Sequence, residues 1–197
     1  MGLVTADLAV SLDLVAAGRD QSMEHPFGRA VRERLTTWMF EHGDDSADEI
    51  SAILRARAYV MGRHMFGPDR GEWDLEWQGW WGPEPPYHAP VFVLCSRPRE
   101  PLVMAGGTTF HFVTEGAVAA LARAREAAGD DDVAIAGGPS TLNAYLSACL
   151  VDELRLHIVP LTVGDGLRVF DGVGDLAMVP ASSRTTPHVT HLTYRRA

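Results

Sequence analysis

Residues 133–146 read Val-Ala-Ile-Ala-Gly-Gly-Pro-Ser-Thr-Leu-Asn-Ala-Tyr-Leu, a short apolar run, two glycines and the start of a helical pattern. Val133 to Ala136 shows no polar alternation, as expected of a strand covered on both faces. Leu142, Tyr145, Leu146, Cys149 and Leu150 then recur at i, i+3, i+4, i+7 and i+8, the single stripe of an amphipathic helix. Pro139 suits the first helical position, where an N–H would lack a partner in any case. Gly137 and Gly138 leave the backbone bare between the two elements, and Ser140 and Thr141 add hydroxyls. Such a turn can receive a pyrophosphate on free backbone N–H groups. The same glycines could simply turn a corner.

The pattern recurs upstream. Ala58 to Met61 is a short buried strand that runs into Gly62-Arg63-His64-Met65. A glycine there lets phosphate approach the backbone, and Arg63 carries a planar fork suited to it; the other reading is a tight turn with a surface arginine. Val91 to Cys95 is a third apolar strand, and it exits into Ser96-Arg97-Pro98-Arg99, a reasonable pocket for a 2′-phosphate.

The remaining elements follow from periodicity. From Leu3 to Leu12 the chain alternates, with Val4, Ala6, Leu8, Val10 and Leu12 on one face and Thr5, Asp7, Ala9 and Ser11 on the other. A helix is expected over Arg29–Glu41, where Val31, Leu35, Trp38 and Met39 share a face. Ser46-x-x-Glu49 has the form of a capping box opening a second helix with Ile50, Ile53 and Leu54 buried. A third helix is expected over Glu115–Ala128, and strands over Thr109–Val113, Asp152–Leu161 and His188–Arg195. Residues 68–90 have no period and hold Trp73, Trp77, Trp80 and Trp81. They form a long structured loop that roofs a pocket, makes a subunit interface, or is pinned to the core by its aromatics. Strands alternating with helices predict an α/β fold with a mainly parallel central sheet and helices on both faces. Neither a repeat nor a linker is evident, so residues 1–197 are expected to form one domain.

Composition narrows the chemistry. A net charge of −9 argues against a nucleic-acid surface. All 17 basic residues are arginine, which excludes a Schiff-base lysine and the lysine of phosphate-loop enzymes. Cys95 and Cys149 alone make neither a disulfide framework nor a four-cysteine zinc site. No apolar run approaches the roughly 18–20 residues of a membrane span, and no basic leader precedes the first apolar stretch. A cytoplasmic protein with no membrane partner is expected. The G-x-G-x-x-G fingerprint is absent, and so are the zinc-deaminase pattern and a nucleophile elbow. His188 and His191 would point to opposite faces of a strand, so a shared metal is not expected. Asp130-Asp131-Asp132 reads as a solvated turn.

Taken in order, these motifs resemble the dihydrofolate-reductase-like superfamily, and within it stand-alone proteins similar to the C-terminal reductase domain of the bifunctional riboflavin-biosynthesis deaminase–reductase. The matching pieces are Ser11-Leu12-Asp13, Gly62-Arg63-x-Met65, Ser96-Arg97, Ala136-Gly137-Gly138, Val151-Asp152-Glu153-Leu154 and Pro160-Leu161-x-x-Gly164-x-Gly166-x-x-x-Phe170. The resemblance implies a dihydrofolate-reductase-like three-layer fold and NADPH as cofactor. It implies that Gly62, Arg63, His64 and Met65 line the adenosine and phosphate end, with Ser96 and Arg97 beside the ribose phosphate. Gly137, Gly138, Pro139, Ser140, Thr141 and Leu142 would hold the pyrophosphate. The loop after Asp13 would cover the nicotinamide, and a substrate pocket would be bordered by Leu14, Phe27, Trp38 and Leu161. A homodimer is also implied.

Two departures from the family pattern stand out. Leu14 occupies the usual glycine position after Ser-Leu-Asp. The first long helix offers no buried carboxylate for a pterin, because Glu33 falls off its apolar face. Asp13 either orients substrate or relays a proton, or it caps the turn after the strand. Hydride transfer itself needs no protein side chain. The leading expectation is an NADPH-dependent reductase of a small heterocyclic or carbonyl substrate. The alternatives are an NADPH-binding protein without turnover, and a riboflavin-pathway reductase of a ribosylamino-pyrimidine with Arg19 and Arg29 near the substrate phosphate.

Overall fold

A computed structural model describes residues 2–68 and 71–197. Nine strands form one sheet, and its centre is parallel. Strand β1 (Val4–Ser11) lies between β7 (Val133–Ile135) and β8 (Glu153–Val159), and pairs parallel with both. Next to β7 come β3 (Ala58–Gly62), β4 (Pro90–Leu94) and β6 (Thr109–Val113), all in parallel register. The edges are antiparallel: β5 (Leu102–Val103) beyond β6, and the hairpin β10 (Met178–Thr185) with β11 (Thr190–Arg196) beyond β8. A separate two-stranded ribbon joins β2 (Val15–Ala17) to β9 (Leu167–Arg168).

The apolar runs predicted as doubly covered strands are so covered. On one face α4 (Ala117–Ala128) and α5 (Pro139–Ser147) pack Ala120, Leu121, Ala124, Leu142, Tyr145 and Leu146 against Val4, Ala6, Val60, Ile135, Leu154 and Leu156. The Tyr145 hydroxyl donates to the Ala117 carbonyl at 2.7 Å and ties the two helices together. On the other face Tyr59, Met61, Val91, Val93 and Phe110 meet Tyr87, Ala89 and Phe66 of α3 (Arg63–Phe66) under the tryptophan-rich loop. The same face carries a smaller cluster of Val15, Val31, Leu35, Trp38, Val159 and Val189, which is covered by α1 (Thr37–Phe40) and by Ile50 and Ile53 of α2 (Ala47–Ile53). Helices therefore flank both faces, in the dihydrofolate-reductase-like arrangement that was expected.

Several local expectations are corrected. The helix expected over Arg29–Glu41 is instead a 3-10 turn (Arg32–Leu35) followed by the single α-helical turn α1. Thr36 lies between them at φ −117°, outside helical geometry. The capping box fails as well. Ser46 makes no cap hydrogen bond, because its hydroxyl is drawn to His191 Nε2 at 3.0 Å. Glu49 pairs with Arg184 of β10. Leu12 lies beyond the strand and is 59% exposed. Strands β2, β5, β9 and β10 were not anticipated. They are short or mostly exposed, and such strands carry little period-two signal.

Candidate active site

The three predicted strand exits open on one cavity of 1080 Å³ at the carboxyl ends of the parallel strands, where open α/β sheets bind ligands. Gly62, Arg63, His64, Met65, Ser96, Arg97, Gly138, Pro139, Ser140 and Thr141 all line it. The exits are locked to one another. The Gly62 N–H donates to the Gly137 carbonyl at 2.8 Å, and the Ala136 N–H to Val60 at 2.8 Å. The Gly137–Gly138 peptide bond is cis. Of the expected cofactor residues, Gly137 and Leu142 do not line the cavity: Leu142 is buried in the core beneath α5, and Gly137 acts through its carbonyl.

The sequence reading missed a second helix start. Gly116, at the N-cap of α4, and Ala117 also face the cavity. Neither α4 nor α5 has a side-chain cap; each begins at a glycine, Gly116 or Gly138, beside which a Cβ would meet no atom within 4 Å. Two helix N-termini thus present uncapped N–H groups and positive dipole ends to one space. Such a space can receive the phosphates of a dinucleotide, so the residues present fit the cofactor that the resemblance implies. The turn Thr114-Glu115-Gly116 after β6 was the available signal.

The arginines divide their work. The Arg63 guanidinium stacks on Trp73, 3.9 Å from the ring centroid. Arg97 faces the cavity and pairs with Glu72, while its carbonyl accepts from Trp73 Nε1 at 3.1 Å. Arg99 turns the other way and donates to the carbonyls of Asp74, Leu75 and Trp77. It fastens the tryptophan loop from outside, while Trp77 and Trp80 donate their indole N–H groups to the Phe66 and His64 carbonyls at 2.8 and 3.1 Å, so the loop is also pinned by its aromatics. Trp73, Trp80 and Trp81 nonetheless line the cavity, so the loop also roofs it.

At the far end the walls become apolar and aromatic: Phe27, Trp38, Tyr59, Trp81 and Tyr87. Phe27 and Trp38 stand where they were expected. Leu14 and Leu161 do not line this space. Leu14 packs on the main core and Leu161 on the Trp38 cluster. Leu14's backbone sits at φ +61°, a left-handed conformation that costs a side-chain-bearing residue about 1–2 kcal/mol and that suits the glycine the resemblance implied there. Glu33 is exposed, as expected of a residue off the apolar face.

Asp13 is occupied. Its carboxylate accepts from the backbone N–H groups of Val163 at 3.0 Å and Gly164 at 2.8 Å, and from the Ser11 hydroxyl at 2.7 Å. Those bonds hold its pKa well below the usual carboxylate range. It does not line the cavity, so the geometry supports the capping reading: Asp13 ties the β1 exit to the 163–168 loop. Arg19 pairs with Asp165 at 3.1 Å.

The sequence also gave no warning of a buried polar stripe on the sheet face under Trp38. Asp7 of β1 lies 3.2 Å from Arg155 and 3.4 Å from His157 Nε2. His157 and His191 meet Nδ1 to Nδ1 at 2.8 Å. The signal would have been two adjacent strands each carrying an inward polar residue, opposite one another only once β8 and β11 pair. His188 stays apart from His191 and stacks on His42 at 3.6 Å. Among the described residues no group of three His, Cys, Asp or Glu is placed to hold a metal ion, and no helix is long and apolar enough to cross a membrane.

The family model of the RibD C-terminal domain matches residues 3–192. The chain belongs to that family. As a RibD C-terminal domain it is similar to a Shewanella sp. PV-4 protein assigned to riboflavin biosynthesis, at 22% identity and TM-score 0.66 over 99% of both chains. It is also similar to the Thermotoga maritima diaminohydroxyphosphoribosylaminopyrimidine deaminase/5-amino-6-(5-phosphoribosylamino)uracil reductase (14% identity, TM-score 0.59). A third relative is Acinetobacter baumannii RibD (15%, 0.60). The chain is covered fully in both of the latter but spans only 57% and 58% of their lengths. No curated protein matches it. At these identities the structures speak for the fold.

Proposed function

We propose that this RibD C-terminal domain is an NADPH-dependent reductase of a small heterocyclic or carbonyl substrate. The observation that carries this reading is the single cavity on which three glycine or arginine strand exits and two uncapped helix N-termini converge, and which continues into an aromatic end. Backbone amides at Gly116, Ala117, Gly138, Ser140 and Thr141 would hold the pyrophosphate, and Arg97 with Ser96 the ribose phosphate. Bound there, NADPH supplies a hydride. The chain orients the acceptor between Phe27 and Trp38, and excludes water with the tryptophan loop. Residues 1–197 act as one cofactor-binding domain, cytoplasmic and dimeric.

Family membership favours a riboflavin-pathway substrate as the second reading. Arg19 and Arg29, the arginines available for its phosphate, do not line the cavity, which favours the generic reductase. The test is titration with NADPH and NADH, followed by tryptophan quenching. Micromolar NADPH binding, near 8 kcal/mol, with NADH weaker and the preference lost in Arg97→Ala, is the expected result. No binding of either nucleotide at about millimolar concentration, roughly 4 kcal/mol, would remove the basis for a reductase.

A further inference from the structure

The aromatic end of the cavity meets solvent through large apolar side chains. Phe40, Leu54 and Trp81 are exposed, and all three line the cavity. Exposed apolar residues scattered singly are ordinary, whereas a contiguous patch marks an interaction site. Here the rings form a continuous band. Phe40 lies 6.0 Å from Trp81, Trp81 6.3 Å from Tyr87, and Tyr87 4.9 Å from Tyr59, centroid to centroid. Trp38, which precedes Phe40 in α1, is buried and adds an inner wall.

The polar groups of this end are already spent. Thr36 donates its hydroxyl to the Glu33 carbonyl at 3.0 Å, and Trp80 its indole N–H to the His64 carbonyl at 3.1 Å. Burial pushes both phenols up, Tyr59 to about 12, so they are neutral near pH 7. Asp7 and His157 present no charged atom to the space, because both carboxylate oxygens and Nε2 are buried. Among the described residues the other basic side chains that line the cavity are Arg63, His64 and Arg97. These follow β3 and β4, at the exits assigned to the cofactor. A phosphate lodged among Phe40, Trp81 and Tyr87 would lose water without gaining a partner, which is costly.

We propose that the acceptor this domain takes is uncharged and carries a bulky apolar group, such as a fused aromatic ring, which enters between Phe40 and Trp81 and lies against Tyr87. It rests on the reductase reading for the cofactor that shares the cavity. The reducible group leads toward the glycine exits, and the apolar group stays at the mouth. Acceptors of the same shape that carry a phosphate or carboxylate at the apolar end are rejected, because their charge is left unpaired. The mouth is continuous with the cofactor end, so what enters it would meet the nicotinamide. That continuity favours a substrate over a second copy of the chain as its occupant.

The deciding experiment uses the full chain and N-phenyl-1-naphthylamine, an uncharged probe that fluoresces in apolar sites. It is expected to bind once per chain, and equally well with the oxidised cofactor NADP⁺ at saturation. Phe40→Ser and Trp81→Ala, both at the solvent-facing rim, should weaken it about tenfold or more. Val103→Ser, at an exposed apolar residue outside the cavity, should not. As competitors, 2-naphthaldehyde should displace the probe at least about tenfold more readily than 6-formyl-2-naphthoate, which adds a carboxylate to the same ring. The chain has no lysine to trap either aldehyde as a Schiff base. No probe binding, an equal loss in Val103→Ser, displacement by NADP⁺ or equal competition by the two aldehydes overturns the proposal. So does a dimer that excludes the probe until Phe40→Ser dissociates it, because the mouth is then an interface between copies. Loss of NADPH binding with the probe still bound would defeat the reductase reading instead, and leaves the apolar site standing.

Discussion

A Cβ added to Gly62 would fall on Thr141 Oγ1, so the end of β3 and the first turn of α5 touch without room for a methyl group. The contact holds two of the three strand exits at a fixed separation across the cavity. Gly62→Ala is therefore expected to lower stability by about 1–3 kcal/mol, the usual cost of overpacking, and to weaken NADPH binding. Adding Thr141→Ala removes the obstructing oxygen and should restore most of the stability in urea denaturation. Equal stability of the single variant and the wild type would show that the helix can shift freely.

Asp13 should govern the acid limb of stability. Its folded-state pKa is depressed by the amides of Val163 and Gly164 and by Ser11. A depressed carboxylate contributes stability above its unfolded pKa, about 3.9. That contribution is lost as pH falls toward the folded value. Urea midpoints measured from pH 6 down to 3 should fall in the wild type, and less steeply in Asp13→Asn. Parallel curves would assign the acid limb to other carboxylates.

Glu72 occupies the guanidinium that the 2′-phosphate would need. The pair is exposed, so its strength is about 0.2–1 kcal/mol. Glu72→Gln should tighten NADPH binding up to about fivefold and leave NADH almost unchanged. Fluorescence titration at low salt reads both, and equal gains for the two nucleotides would place Arg97 away from the 2′-phosphate.

Arg99 spans three carbonyls of the tryptophan loop while lying over Phe66, Trp73 and Phe112. Hydrogen bonds from a charged donor contribute about 1.5–3 kcal/mol each. Arg99→Ala should release residues 72–82, seen as faster cleavage in limited proteolysis, and destabilise the chain by at least about 1.5 kcal/mol. Arg99→Lys should not rescue it, because an ammonium lacks the planar fork. An intact loop in either variant would show that its other contacts, the tryptophan N–H bonds among them, suffice to hold it.

Much of this was legible in residue order. Val133–Ala136 and Gly137-Gly138-Pro139 announced a strand, a bare turn and a helix, because apolar runs, glycine and a first-turn proline act within a few residues of chain. The same locality made Gly62-Arg63 and Ser96-Arg97 readable as exits, and the cavity unites them. Where a neighbour distant in sequence competes for a residue, the local reading fails. Ser46 is a good cap by its spacing with Glu49, yet it bonds His191, 145 positions away. Asp13 looked available for chemistry until Val163 and Gly164 claimed both its oxygens.

The sequence by itself determined the layered α/β architecture and the strand exits that open on the cavity, since backbone exposure and hydrophobic period are properties of short segments. Tertiary structure alone decided which polar groups face one another. His157 and His191 become partners only when β8 and β11 pair antiparallel, and Asp7 joins them only through the parallel register of β1 with β8. Strand register brings together side chains that no local pattern connects.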